Sequence, residues 1–112
     1  MPDYNSPFQL TADTHCLALT ATVLASSVSL AGFEDIYVYN EATADAVFLA
    51  FHTVSATAKT NAVEPTAGTP KKVVVVPPAT AMVIRVPKNS YVNGLYKATK
   101  SGNVYITEGR GR

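Results

Sequence analysis

The sequence predicts an all-β protein, a single-domain antiparallel β-sandwich, jelly-roll-like, with an extended N-terminal arm. Short runs rich in Val, Ile, Tyr and Phe recur with turn signals about every ten residues, the spacing of a sandwich. No stretch holds a helical period for longer than a turn or two. The 112 residues suffice for one core and not for two. Apolar residues make up 47% of the chain and charged residues 15%, against roughly 25% in an average domain, so the chain folds rather than staying disordered. So little charge also implies that part of the surface is covered by something other than water.

The elements follow in order. Residues 1–15, MPDYNSPFQLTADTH, carry two prolines and few regularly spaced apolar positions, and read as an extended arm that Phe8 and Leu10 could anchor. The segment CLALTATVLASSVSL, from Cys16 to Leu30, mixes alanines with β-branched residues and has no Glu or Lys for a solvent-facing helical stripe, so it predicts two short strands. Ala31-Gly32 predicts a turn. Ile36 to Asn40 alternates aliphatic with aromatic, the period of a strand, and places Tyr37 and Tyr39 opposite Ile36 and Val38. After a turn at residues 40–43, Ala46 to Phe51 is apolar on both faces, and the two strands read as a hairpin. Residues 54–72 predict a long loop, broken by Pro65, Gly68 and Pro70.

Val73 to Val76 is β-branched throughout and stops at Pro77-Pro78, because proline lacks the N–H a ladder needs. Met82 to Val86 predicts a further strand with Arg85 facing away from Met82 and Ile84. Tyr91 to Tyr96 contains Asn93-Gly94 and reads either as a tight hairpin or as one strand with a glycine bulge. Val104 to Thr107 is the last strand. The predicted organisation is an arm over 1–15, a sandwich over 16–108 and a flexible basic tail over 109–112.

Net charge is +1, but all nine Lys and Arg residues follow residue 58, while six of the eight acids precede it. The halves are therefore −6 and +7. Either they interleave so that the charges mix, or the protein has an acidic and a basic face that pair between neighbouring copies. The single cysteine, Cys16, excludes an internal disulfide. No basic region followed by an apolar one opens the chain, and no apolar run is long enough for a helix to cross a bilayer; the expectation is a soluble, non-membrane protein from a reducing cytoplasm.

Catalytic and ligand motifs were sought by chemistry. Asp13, His15 and Cys16 form the only local cluster of metal-ligand types, short of the four ligands of a zinc site, and the plain reading is a buried Cys16 beside a solvated histidine. A Cys16–His52 nucleophile pair lacks any glycine elbow or oxyanion-hole sequence. Glycine-rich phosphate loops are absent. Lys97, Lys100, Arg110 and Arg112 lie near Tyr91, Tyr96 and Tyr105 as in single-strand nucleic-acid binders, but the near-neutral charge argues against that partner. The expectation is no enzyme, no cofactor and no metal. Tyr37 and Tyr39 make an aromatic stripe outside the aliphatic core, a composition enriched at interfaces.

Three blocks, IYVYNEATADAVFLAF, VVVVPPATAMVIRVP and YVNGLYKATKSGNVYITEGRGR, resemble small virion proteins of tailed bacteriophages of the capsid decoration, or cement, type. The resemblance rests on Val38-Tyr39-Asn40, Asp45 through Phe51, Pro77-Pro78-Ala79 and Val104 through Gly109, and covers about half of the chain. Residues 1–33 do not share it, and Pro78-Ala79-Thr80 stands where that pattern has Pro-Ala-Gly. It implies a jelly-roll-like protein on the virion capsid surface, assembled in the host cytoplasm, that binds the major capsid protein and bridges its subunits, itself a homo-oligomer (dimer or trimer). In that role the expected contact residues are Phe8 and Leu10 in the arm, Tyr37 and Tyr39 on the stripe, and Arg110 and Arg112 in the tail. The alternatives are another virion component (tail, neck or head fibre) and a carbohydrate-binding sandwich.

Overall fold

A computed structural model describes residues 9–30 and 34–110; side chains are described for 14–30 and 34–108. Eight strands form: β1 (Gln9–Leu19), β2 (Val28–Ser29), β3 (Asp35–Asn40), β4 (Val47–His52), β5 (Val74–Val76), β6 (Thr80–Arg85), β7 (Tyr91–Leu95) and β8 (Gly102–Arg110). One helix, α1 (Ser55–Asn61), lies between β4 and β5. Two four-stranded antiparallel sheets result, in the orders β1-β8-β3-β6 and β2-β7-β4-β5.

The pairing has a simple rule. β1 pairs with β8, β2 with β7, β3 with β6 and β4 with β5, so the chain runs as one long antiparallel hairpin whose tip lies between β4 and β5. That hairpin wraps on itself where β8 also takes β3 and β7 also takes β4. Each sheet thus draws two strands from the acidic half and two from the basic half. The charges interleave, and Arg85 lies 3.2 Å from Asp35 across β6 and β3.

The core lies between the sheets. Leu17, Leu19, Ile36, Val38, Val104 and Ile106 of one sheet meet Val47, Leu49, Val76 and Val92 of the other, closed by Tyr96. Burying each such aliphatic side chain contributes about 1.5–3 kcal/mol. The two-residue alternation that sorts these positions inward is the same one that sends Tyr37 and Tyr39 outward.

Several expectations change here. Residues 9–15, expected in the arm, are the first part of β1, with a register irregularity between Leu10 and Thr14 that masks the strand period in the sequence. Gly109 and Arg110, expected in the tail, belong to β8 and pair with Leu10 and Gln9. β3 and β4 are strands but not a hairpin, because the chain crosses between sheets after Asn40. Residues 54–72 hold α1 as well as loop. The expected turn at Ala31-Gly32 lies outside the described residues.

Asn93-Gly94 is a strand interior, not a turn. A Cβ on Gly94 would stand 2.7 Å from the Phe48 carbonyl oxygen and 2.6 Å from Leu49 Cδ2, so close approach of β4 requires the glycine. The β5–β6 turn runs through Ala79 at φ 51°, left-handed backbone that an alanine adopts at a cost.

Asn40, fully buried, locks the crossing. Its Nδ2 donates to the carbonyls of Asp45, Val76 and Pro77 at 2.9, 3.1 and 3.2 Å. Its Oδ1 accepts from the Ala42 N–H at 3.1 Å and the Tyr96 hydroxyl at 2.6 Å. One side chain therefore ties the end of β3 to β5, to the crossover and to the segment after β7. No described helix is long and apolar enough to cross a membrane.

Candidate functional site

The outer faces of the two sheets differ. On the β2-β7-β4-β5 sheet, the outward residues Phe48, Ala50 and Asn93 are buried. Helix α1 packs on β4 and β7, with Ala58 and Ala62 buried beneath it. The segment after β1 closes the rest: Asn93 Nδ2 donates to the Leu24 carbonyl at 3.0 Å, Asn93 Oδ1 accepts from the Leu24 N–H at 2.8 Å, and Ser27 Oγ donates to the Ser55 carbonyl at 2.9 Å.

No described element covers the outer face of the other sheet. Two rows of outward side chains cross its four strands. One row runs Cys16, Tyr105, Tyr39, Ala81; the next runs Thr14, Thr107, Tyr37, Val83. None of the eight carries a charge at neutral pH. Val83 is 45% exposed, Tyr37 is 38% exposed and Cys16 is exposed, while Tyr39 and Tyr105 are half-buried against each other as direct cross-strand partners. Thr14 and Thr107 join through their hydroxyls at 2.8 Å.

Among the described side chains, charge sits only at the ends of this face. Arg85 at one end is held by Asp35 at 3.2 Å and by Glu34 at 3.9 Å. At the other, Glu41 accepts from Asn103 Nδ2 at 3.2 Å and from the Tyr105 hydroxyl at 3.4 Å. The Glu41 carboxylate beside it, with Cys16 adding to the effect, holds the Tyr105 hydroxyl above the usual tyrosine range. An uncharged, tyrosine-rich patch framed by hydrogen-bonded charges has the composition of a protein contact surface.

The structure thus places Tyr37 and Tyr39 on one exposed face, as expected, and adds Cys16, Val83 and Tyr105, which the sequence reading did not assign to it. The signal for Val83 and Tyr105 was present in the alternation of their strands; what was missing was which strands are neighbours. Leu10 lies in β1 opposite Gly109 and Arg110 ends β8 opposite Gln9. Phe8 and Arg112 lie outside the described residues.

The other candidates come apart or invert. Cys16 is exposed and His15 is the half-buried residue, the reverse of the expected order: His15 Nε2 lies 2.6 Å from Oε2 of Glu108, whose side chain is 2% exposed. Cys16 and His52 stand on different sheets. Among the described residues, no three His, Cys, Asp or Glu side chains converge. Tyr96 is buried and hydrogen-bonded to Asn40, so it offers no face to a stacked base, and Tyr91 and Tyr105 are on different sheets. Set against protein-family models, curated proteins and solved structures, the chain matches none.

Proposed function

We propose that the protein is a structural assembly module, a virion decoration protein that docks on the major capsid protein through the bare face of the β1-β8-β3-β6 sheet and stabilises contacts between capsid subunits. The observation that carries this reading is the asymmetry of the sandwich: one sheet has its outer face sealed by α1 and a loop, while the other presents two uncharged rows with three tyrosines. The sequence blocks that resemble tailed-phage decoration proteins supply the kind of partner, and a sandwich whose strands pair as one wrapped hairpin supports a jelly-roll reading, an architecture that capsid proteins use.

The size of the face sets the mode of binding. Four strands about 4.8 Å apart and some six residues at about 3.3 Å each give a planar area of roughly 300 Å². A contact on both partners then covers roughly 600 Å², about half of the lower limit of a standard stable interface. A free dimer through this face alone is accordingly weak, whereas many copies on a repeating shell gain from multivalency.

The test is copy number with a footprint. Quantitative mass spectrometry of purified phage particles should find one copy per major shell subunit or a simple lattice fraction of it. Alkylation of Cys16 should slow at least about tenfold on the particle relative to the free protein, and Val83→Lys should abolish binding with the far-ultraviolet circular dichroism unchanged. Absence from particles, or equal Cys16 reactivity free and bound, would overturn the reading; a handful of copies would move the protein to tail, neck or head fibre. The adjacency of Tyr39 and Tyr105 also favours a second reading, a sugar-stacking platform, which predicts glycan binding by the isolated domain.

A further inference from the structure

A second feature lies beside the tyrosine face, with which it shares Arg85, at the seam where the edges of the two sheets meet. β4 continues to His52, but its partner β5 begins only at Val74, opposite Leu49. Among the described residues, no strand therefore pairs with this edge of β4 at Phe51 and His52. Across the seam, β6 is the edge strand of the other sheet. The gap is a trough of about 290 Å³, floored by Leu49 and Phe51, walled by Val74, Ile84 and Val86, and rimmed by Lys71, Lys72 and Arg85. Phe51, Val74 and Ile84 pack against the core and are only half-buried, so apolar surface is open to the outside here.

The rim is electrically unbalanced. Arg85 is paired with Asp35 and Glu34, but the ion pairs among the described residues include neither Lys71 nor Lys72. Two exposed lysines beside an apolar floor and an unpaired strand edge set three requirements on an occupant. It is extended, it carries aliphatic side chains at every second position, and it presents carboxylates to the rim. A small molecule meets the apolar requirement less well, because an open trough does not enclose it as small-ligand pockets do.

We infer that this seam binds an extended acidic strand of a partner protein, which continues the line of β5 along the edge of β4, sets its aliphatic side chains on Phe51, Val74 and Ile84, and pairs its carboxylates with Lys71 and Lys72. Main-chain pairing supplies affinity and alternate side chains supply selectivity, as in other strand-addition sites. The inference is independent of the tyrosine face.

The test uses the full chain and a fluorescent octapeptide alternating aspartate with isoleucine, followed by anisotropy and by amide chemical shifts. The acidic peptide should bind with a dissociation constant of roughly 10–100 μM and shift the amides of residues 71–74 and 84–86. The same peptide with lysine for aspartate should not bind. Lys71→Glu with Lys72→Glu, at two exposed positions, should weaken binding at least about tenfold. Val83→Lys should leave it unchanged, which separates this site from the tyrosine face. Equal binding of both peptides, no binding of either, no effect of the charge reversal, shifts confined to another surface, or binding of dodecanoate without the peptide would each overturn the assignment.

Discussion

Replacing Asn40 by alanine tests the joint that holds the wrapped hairpin together. Asn40 is 0% exposed and serves five partners, so the substitution strands two donors, the Tyr96 hydroxyl and the Ala42 N–H, and removes the donor to the carbonyls of Asp45, Val76 and Pro77. A buried donor left without an acceptor costs about 1–3 kcal/mol, so Asn40→Ala should lose about 3–5 kcal/mol, a large share of the roughly 5–15 kcal/mol a domain possesses. Tyr96→Phe removes only the hydroxyl and keeps the ring in the core; it should cost about 1–2 kcal/mol. In the double variant the stranded hydroxyl is gone, so its cost should fall short of the sum by about 1–2 kcal/mol. The chain has no Trp, so urea unfolding at neutral pH is followed by circular dichroism, with thermal midpoints falling about 4–8 °C for each kcal/mol. A loss below about 1 kcal/mol for Asn40→Ala, or additivity within about 0.5 kcal/mol, would refute the account of Asn40 as the joint.

Two further outcomes follow from buried polar groups. Burial first, then the charges of Asp45 and Glu41, push the Tyr96 hydroxyl up to about 12 from an ordinary value near 10. The folded state thus holds this proton more tightly than the unfolded chain does, so the Tyr96 contribution is fully present below about pH 10 and is lost as pH rises toward about 12. Tyr96→Phe should flatten that alkaline loss in urea midpoints measured across the range, and an equal loss in the variant would contradict the assignment. At neutral pH, His15→Ala should cost about 2 kcal/mol because it removes a 2.6 Å partner from a carboxylate that is 2% exposed. Glu108→Gln should cost less, about 1 kcal/mol, since a neutral amide still bonds and is cheaper to bury; the reverse order in urea melts would show that His15 is not what balances Glu108.

Much of the architecture is legible along the chain because strand formation is local. Ala46 to Phe51 reads as buried on both faces, and Val47 to Ala50 are so, with the core on one side and α1 on the other, while Ala46 and Phe51 are half-buried. Pro77-Pro78 ends β5 where the missing N–H demands it. Neighbour relations are not local, and there the reading failed. A turn signal at residues 40–43 suits a hairpin and a crossing between sheets equally well, and Asn93-Gly94 suits a turn until β4 packs so close that a Cβ on Gly94 would stand 2.7 Å from the Phe48 carbonyl oxygen. Lone cysteines are usually core, yet odd-numbered β1 positions such as Leu17 and Leu19 face inward and Cys16 is one step out of phase.

The sequence by itself determined the β class, most strand positions and the outward aspect of Tyr37 and Tyr39, since propensity, proline stops and the two-residue period act within a few residues. Only the tertiary structure decided that Tyr105, Cys16 and Val83 join those tyrosines, that α1 seals one sheet and leaves the other bare, and that the trough beside Lys71 and Lys72 exists at all. Those are relations between strands tens of residues apart, set by which edges pair when the long hairpin wraps, and no local period encodes them.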